Sequence, residues 1–267
     1  MPKSNFLQKH SLILVVYSLV FVLITVGSIY SERFLTLRNL TNVLRQAAYL
    51  GTAALGEMLV ILTAGIDLSI GSLVKLSVLV SAILMDGNPD NVIMAVGLTL
   101  ALGLGVGLLH AFFINELNLS PFVVTFASLF ILQGISLTIT TKPIGRSSKD
   151  FLLLYSQKFF EVPIIVYFFG LVTLLIAFLL NMTVFGKHIY AVGGNPTVAE
   201  LSGIPVKKIR YGVYGICSLL AAVTGLLWLM RMGVGDPVIG KELELNAIIA
   251  VVTVSYTHLR AHETQRN

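Results

Sequence analysis

Phe185–Arg210 reads FGKHIYAVGGNPTVAELSGIPVKKIR and is the longest polar interval between strongly apolar runs in the chain. Gly193-Gly194-Asn195-Pro196 is a turn signal, because glycine tolerates the angles of a reversal and an Asx-Pro pair initiates one. Asn195 is then the N-cap of a short helix over Thr197–Ser202, with Pro196 at the first position, where a missing N–H is harmless. Gly203 closes that helix and Pro205 forbids its continuation. Lys207, Lys208 and Arg210 stand just before the next apolar run, where the positive-inside tendency expects a cytoplasmic face. A compact capped helix between two apolar runs offers a surface for another protein to push on; an ordinary connecting loop is the alternative.

The flanking runs decide the class. Of 267 residues 56% are hydrophobic and only 12% charged, and the mean hydropathy is +0.89, whereas a soluble domain carries about a quarter charged residues. Apolar segments of roughly 18 to 22 residues suit a hydrocarbon core about 30 Å thick, and helices satisfy their own backbone there. The expectation is an all-α, polytopic helical membrane protein with about eight spans. The net charge of +5 is spread over loops, so no nucleic-acid footprint exists. Cys217, the single cysteine, lies inside an apolar run and is read as a small packing residue. The basic head and long apolar stretch of residues 1–30 lack an A-x-A cleavage pattern and read as an uncleaved first span.

Taken in order, Ser11–Tyr30 is the first span. Ser31–Gln46 places Phe34, Leu37, Leu40 and Leu44 at helical spacing, which suggests an interfacial amphipathic turn before the second span; a plain polar connector whose arginines meet lipid headgroups is the alternative. Ala47–Ala64 is the second span and ends in an unusual intramembrane sequence, Thr63-Ala-Gly-Ile-Asp-Leu-Ser-Ile-Gly-Ser72. Asp67 is costly in lipid and needs protein, water or backbone partners. Gly65 and Gly71 permit a break, and Asp67 or Ser69 serves as cap of a helix starting near Ile70. Such a broken element lines a translocation path or is a tight turn between spans, and both readings stay open. Asp86–Asp90 is a turn. Gly103 and Gly107 form a GxxxG pair suited to close helix packing, within the molecule in the favoured reading and in a dimer contact as the alternative. His110 and Glu116 bracket a loop, and His110 reads as a solvated or capping group. Thr125 and Gln133 are polar within the span 119–140 and either meet a hydrated path or bond between helices.

Several of these segments carry a resemblance. YAVGGNPTVAELSGIPVKKI (190–209) resembles the cytoplasmic loop of ribose-type ABC importer permeases, roughly YAxGGNxxAAxLSGIxVxxxK. LVILTAGIDLSIGS (59–72) is similar to the same family's LVILTxGIDLSVGS, and FLTLRNLTNVLRQ (34–46) to its FLTxxNLxNILRQ. PFVVTFASLFILQGISLTIT (121–140) resembles PFIATLxxxxIxRGI, and PVIGKELELNAIIAVV (237–252) resembles PxxGxGYELDAIAAVVIGG, with Lys241 and Asn246 departing from it.

The resemblance implies a permease subunit for a monosaccharide such as ribose in the bacterial cytoplasmic (inner) membrane. It also implies an ATP-binding partner, a periplasmic sugar-binding protein and a second permease copy. Gly193, Gly194, Asn195, Pro196, Ala199, Glu200, Leu201, Ser202 and Gly203 would form the ATPase-coupling loop. Asp67, Ser69, Thr125 and Gln133 are the translocation-path candidates. Crossing counts put the N-terminus and the 181–210 loop inside, although the assigned outer loops carry more Lys and Arg.

No Walker A loop, metal spacing or nucleophile elbow stands in the sequence, so no catalytic residue, metal or cofactor is expected. ATP hydrolysis belongs to another chain. A secondary transporter would need intramembrane ionisable pairs, and Asp67 reads as nearly alone; an intramembrane enzyme would need clustered His, Asp or Ser groups at one depth. A permease for a non-sugar solute is the remaining alternative. Residues 1–252 are expected to form one permease domain lacking the family's last helices. The polar tail 253–267, with VSYTHLRAHET, resembles a translated sequencing-adapter sequence; a genuine short cytoplasmic tail is the alternative, and His258 and His262 are not read as a metal pair.

Overall fold

A computed structural model describes residues 6–252, so the expected foreign origin of 253–267 concerns residues outside that range. The described chain is helical apart from turns and one two-residue hairpin, and the all-α expectation holds. It divides into two compact units, with the boundary between Leu44 and Arg45.

The first unit contains α1 (Phe6–Tyr30) and the beginning of α2 (Leu37–Leu62). A tight turn joins them: Ser31 donates its N–H to Gly27 O and Phe34 donates to Ser31 O. The Phe34 ring lies over Gly27, where a Cβ would come within 2.7 Å of it. Asn39 Nδ2 donates to Phe34 O at 2.8 Å and ties the turn to α2. The amphipathic turn expected over Ser31–Gln46, with a span beginning at Ala47, is therefore corrected at its boundary, since Leu37–Gln46 is the first part of one 26-residue helix. No Gly or Pro interrupts residues 37–50, and extending a helix is cheaper than nucleating a second one.

The second unit is built around α10 (Val206–Met232), whose most apolar window is 78% buried against 22% for α4 (Val92–Glu116), α5 (Pro121–Ile139) and α7 (Ile164–Met182). Small residues allow that centrality. A Cβ at Gly103 would lie 2.5 Å from the Ala222 Cβ, and one at Gly107 would overlap Tyr214 O. Gly225 meets α3 (Ile70–Met85) in the same way, 2.5 Å from the Ser77 Cβ. The GxxxG pair thus packs within the molecule. Gly107→Leu is expected to drive α4 off α10 and to lower stability by about 1–3 kcal/mol, the usual cost of overpacking. Thermal unfolding of the purified protein in detergent checks it, with Gly105→Leu as control because that position faces open space.

Helix α3 ends at Asp86 and Gly87, both left-handed (φ 42° and 75°). Asn88 Oδ1 then accepts from Asp90 N–H and starts a single 3-10 turn before α4, as the turn expectation required. Ser148 caps α6 (Lys149–Ser156), and β1 (Lys158–Phe159) pairs with β2 (Val162–Pro163) before α7. Then come α8 (Val184–Gly194), α9 (Pro196–Leu201), α10 and α11, described over Leu243–Val252.

Among the described residues four helical segments are long and apolar enough to cross a membrane: Pro89–Glu116, Pro121–Ile139, Ile164–Met182 and Val206–Met232. Ile70–Met85 is a shorter apolar helix, and Tyr17–Tyr30 of α1 and Leu243–Val252 of α11 are apolar as well.

Candidate functional site: a buried polar joint beside a capped loop

Helix α2 ends at Leu62 without a proline. Thr63 and Gly65 both turn their N–H groups back to Val60 O, and Ala64 donates to Ile61 O. The left-handed residue is Ala64 (φ 59°), not either glycine. Gly65 and Gly71 serve close approach instead. A Cβ on Gly65 would sit 2.6 Å from the Tyr214 hydroxyl, and one on Gly71 would overlap the Glu244 carboxylate.

Asp67 lies in this break with no exposed surface. Its Oδ1 accepts from the Ser69 N–H at 2.9 Å and the Ser69 hydroxyl at 2.6 Å, so Asp67 organises the start of α3. Ser69 occupies the N-cap position of α3 but makes no side-chain cap bond of its own. Oδ2 faces His110 Nδ1 at 3.7 Å on α4 and Cys217 Sγ at 3.8 Å on α10. The other ring nitrogen of His110 meets Ser128 Oγ on α5 at 2.8 Å. Glu57, fully buried in α2, accepts the Asp67 N–H through Oε1 at 3.2 Å. Thr125 on α5 donates to Ile66 O at 3.2 Å.

Three expectations change here. His110 is not a solvated group beside a loop: α4 runs unbroken to Glu116, and His110 is 1% exposed inside it. Cys217 is more than a packing residue, since it faces a carboxylate. Asp67 is not nearly alone, because Glu57 and His110 share its enclosure. Thr125 bonds from α5 to the break between α2 and α3, and Gln133 is half-buried on α5.

Burying acids away from water is expensive unless neighbouring dipoles and hydrogen bonds replace hydration. The joint meets that demand in part. Glu57 Oε2, His110 Nδ1 and the Tyr214 hydroxyl are enclosed without a hydrogen-bond partner in the structure. Ser128, His110 and Asp67 follow the order of a hydrolytic triad, but the His110–Asp67 separation exceeds hydrogen-bond reach.

The polar interval folds as local chemistry dictates, with one correction. Asn195 Oδ1 accepts from Val198 N–H at 3.1 Å, Pro196 opens α9, and Gly203 (φ 82°) follows its end. The Gly193-Gly194 pair, expected in the reversal, belongs instead to α8, and the chain turns at Asn195. Gly193 is a contact point, since a Cβ there would overlap Leu62 O at the end of α2. Ile189, Val192 and Ala199 are buried in the same core as Val60. Val198, Glu200, Leu201 and Ser202 face outward, with Leu201 84% exposed. Behind the loop, Lys207 Nζ pairs with Glu116 at 2.7 Å, and Asn115 Nδ2 donates to Lys207 O, joining the end of α4 to the start of α10.

Several long apolar helices packed around an internal polar joint are the architecture of a multi-pass membrane protein. The family model for the "Branched-chain amino acid transport system / permease component" matches residues 39–259, and the chain belongs to that family. It is 36% identical over 236 residues to the ribose import permease protein RbsC of Escherichia coli K12, covering 86% of this chain and 73% of that protein. Similarity to RbsC of Bacillus subtilis is 33% over 238 residues (87% and 73%), and to the D-allose transport system permease protein AlsC of E. coli K12 33% over 227 residues (85% and 70%). No solved structure matches this chain. As a permease component the chain is a transport subunit rather than an enzyme.

Proposed function

We propose that this chain is the membrane-spanning permease subunit of an ATP-driven importer of a monosaccharide, ribose-like in size and polarity. Residues 1–252 act as one permease domain of about eight spans, seated in the bacterial inner membrane and paired with a second copy. A sugar-binding protein delivers the solute outside. The 186–210 loop seats on a separate ATP-binding subunit, and closure of the ATPase pair drives alternate access.

The observation that carries this reading is α9. A short helix capped at both ends holds Ala199 in the core and turns Val198 and Leu201 outward. A large apolar side chain left exposed on a polar loop suits a pocket on a partner. Asp67, Ser69 and Thr125 act at the joint beside the path, and Gln133 lines it. Relatives named for ribose and D-allose support the sugar class.

Co-expression with an ATP-binding subunit of a ribose-type importer tests the reading. The ATPase is expected to co-purify with the permease, and Leu201→Asp is expected to weaken that association about ten-fold or more, as loss of a buried apolar anchor does. Sugar uptake in vesicles without ATPase or ATP would overturn it. A secondary transporter is the second reading, favoured by the enclosed Glu57, Asp67 and His110; uptake driven by a pH gradient alone would establish it.

A further inference from the structure

We propose that Glu57 is a positioning residue for coupling: it staples the α2–α3 break so that movement of the 184–203 loop, received at the end of α2, reaches α3, α4 and α10 together. This rests on the reading that the loop meets an ATPase.

The loop and the break touch. Gly193 lies so close to Leu62 O that no side chain fits between them. Leu62 is the last residue of α2, and the break begins at the next residue. A push on α8 therefore arrives at the one place where the α2–α3 backbone lacks regular helical bonds. A free hinge would absorb that push. Here, Glu57 reaches forward from α2 and accepts the Asp67 N–H. The same residue's carboxylate holds Ser69 at the start of α3 and faces His110 and Cys217. Thr125 holds Ile66 O from α5. Backbone on both sides of the break is thus tied to one enclosed group of side chains. Glu57 is the tie that spans the break from the α2 side. Close-packed elements of this kind move between discrete arrangements rather than deforming continuously.

The test uses the complete transporter, with ATPase and sugar-loaded binding protein, in proteoliposomes, and reads sugar moved per ATP hydrolysed. Glu57→Leu removes the acceptor and is expected to lower that ratio about ten-fold, within the range of ordinary coupling energies. Glu57→Gln retains an oxygen of the same reach and is expected to restore most of it. Gly193→Ala disturbs the contact from the loop side and is expected to lower the ratio too. Combined with Glu57→Leu, it should add little, because residues on one path do not contribute independently.

A wild-type ratio in either Glu57→Leu or Gly193→Ala overturns the proposal. So does a Glu57→Gln defect as deep as that of Glu57→Leu, or full multiplication of the two single effects. If Glu57→Leu does not assemble, Glu57→Ala, which also removes the acceptor, takes its place in every comparison, and a wild-type ratio in Glu57→Ala overturns the proposal. Failure of the wild-type permease to bind any ATPase would instead remove the functional reading, and this proposal with it.

Discussion

Asp67→Leu is expected to abolish sugar uptake by the assembled transporter while leaving the amount of permease in the membrane unchanged. The substitution deletes the acceptor for the Ser69 N–H and hydroxyl and the carboxylate facing His110 and Cys217. A buried polar group stranded in this way costs about 1–3 kcal/mol, and here the stranded groups begin α3 and line α4 and α10. Insertion should not suffer, because removing an acid makes the segment easier to place in lipid. Asp67→Asn keeps an oxygen for Ser69 and presents an amide where Oδ2 stood, so measurable uptake should survive. Labelled-sugar uptake normalised to immunoblotted membrane protein compares the variants. Normal uptake by both would show that the break is only a connector.

Gly203→Pro is the second change with a large expected effect. Gly203 has φ 82° and donates its N–H to Glu200 O at 2.9 Å, closing α9. Proline removes that donor and is confined to φ near about −65°. The end of α9 must therefore rebuild, and Leu201 and Ser202 lose their presentation. ATP hydrolysis should continue, while uptake falls to background. Gly203→Ala keeps the N–H and meets only the left-handed penalty of about 1–2 kcal/mol, so its defect should be intermediate. Glu200→Lys reverses charge on an exposed position of the same helix and should weaken ATPase association without unfolding the loop. ATPase association and uptake equal to wild type in the proline and lysine variants would refute the coupling assignment of α9.

The cap of α9 was readable in advance because capping is local. Asn195, Pro196 and Gly203 act through their own backbone or their neighbours within three residues. The same locality explains the turn at Asn88 and the start of α3 at Ile70. The glycine pair at 193–194 misled for a related reason. Glycine permits a reversal but does not impose one, and Gly193 is used for its lack of a side chain against Leu62. His110 was misplaced by reading a lone polar residue as a helix end. Nothing between Val92 and Glu116 breaks a helix other than tolerated glycines, and that continuity was the available signal. Glu57 had a comparable signal, an acid inside an apolar run, which in a membrane calls for a partner.

Composition, apolar run length and capping chemistry were enough to indicate a helical membrane protein with a short capped helix in the loop between two apolar runs. Each depends on residues close together in the chain or on averages over it. Packing alone decided that Glu57, Asp67, His110 and Cys217 meet, that α10 is the central helix, and that Gly193 rests on the end of α2. His110 and Cys217 reach Asp67 from α4 and α10, and their distance along the chain carries no trace of that encounter. The encounter arises because small residues at Gly56, Gly103 and Gly107 let α2 and α4 close onto α10, and buried polar groups then take the partners that such close approach leaves within reach.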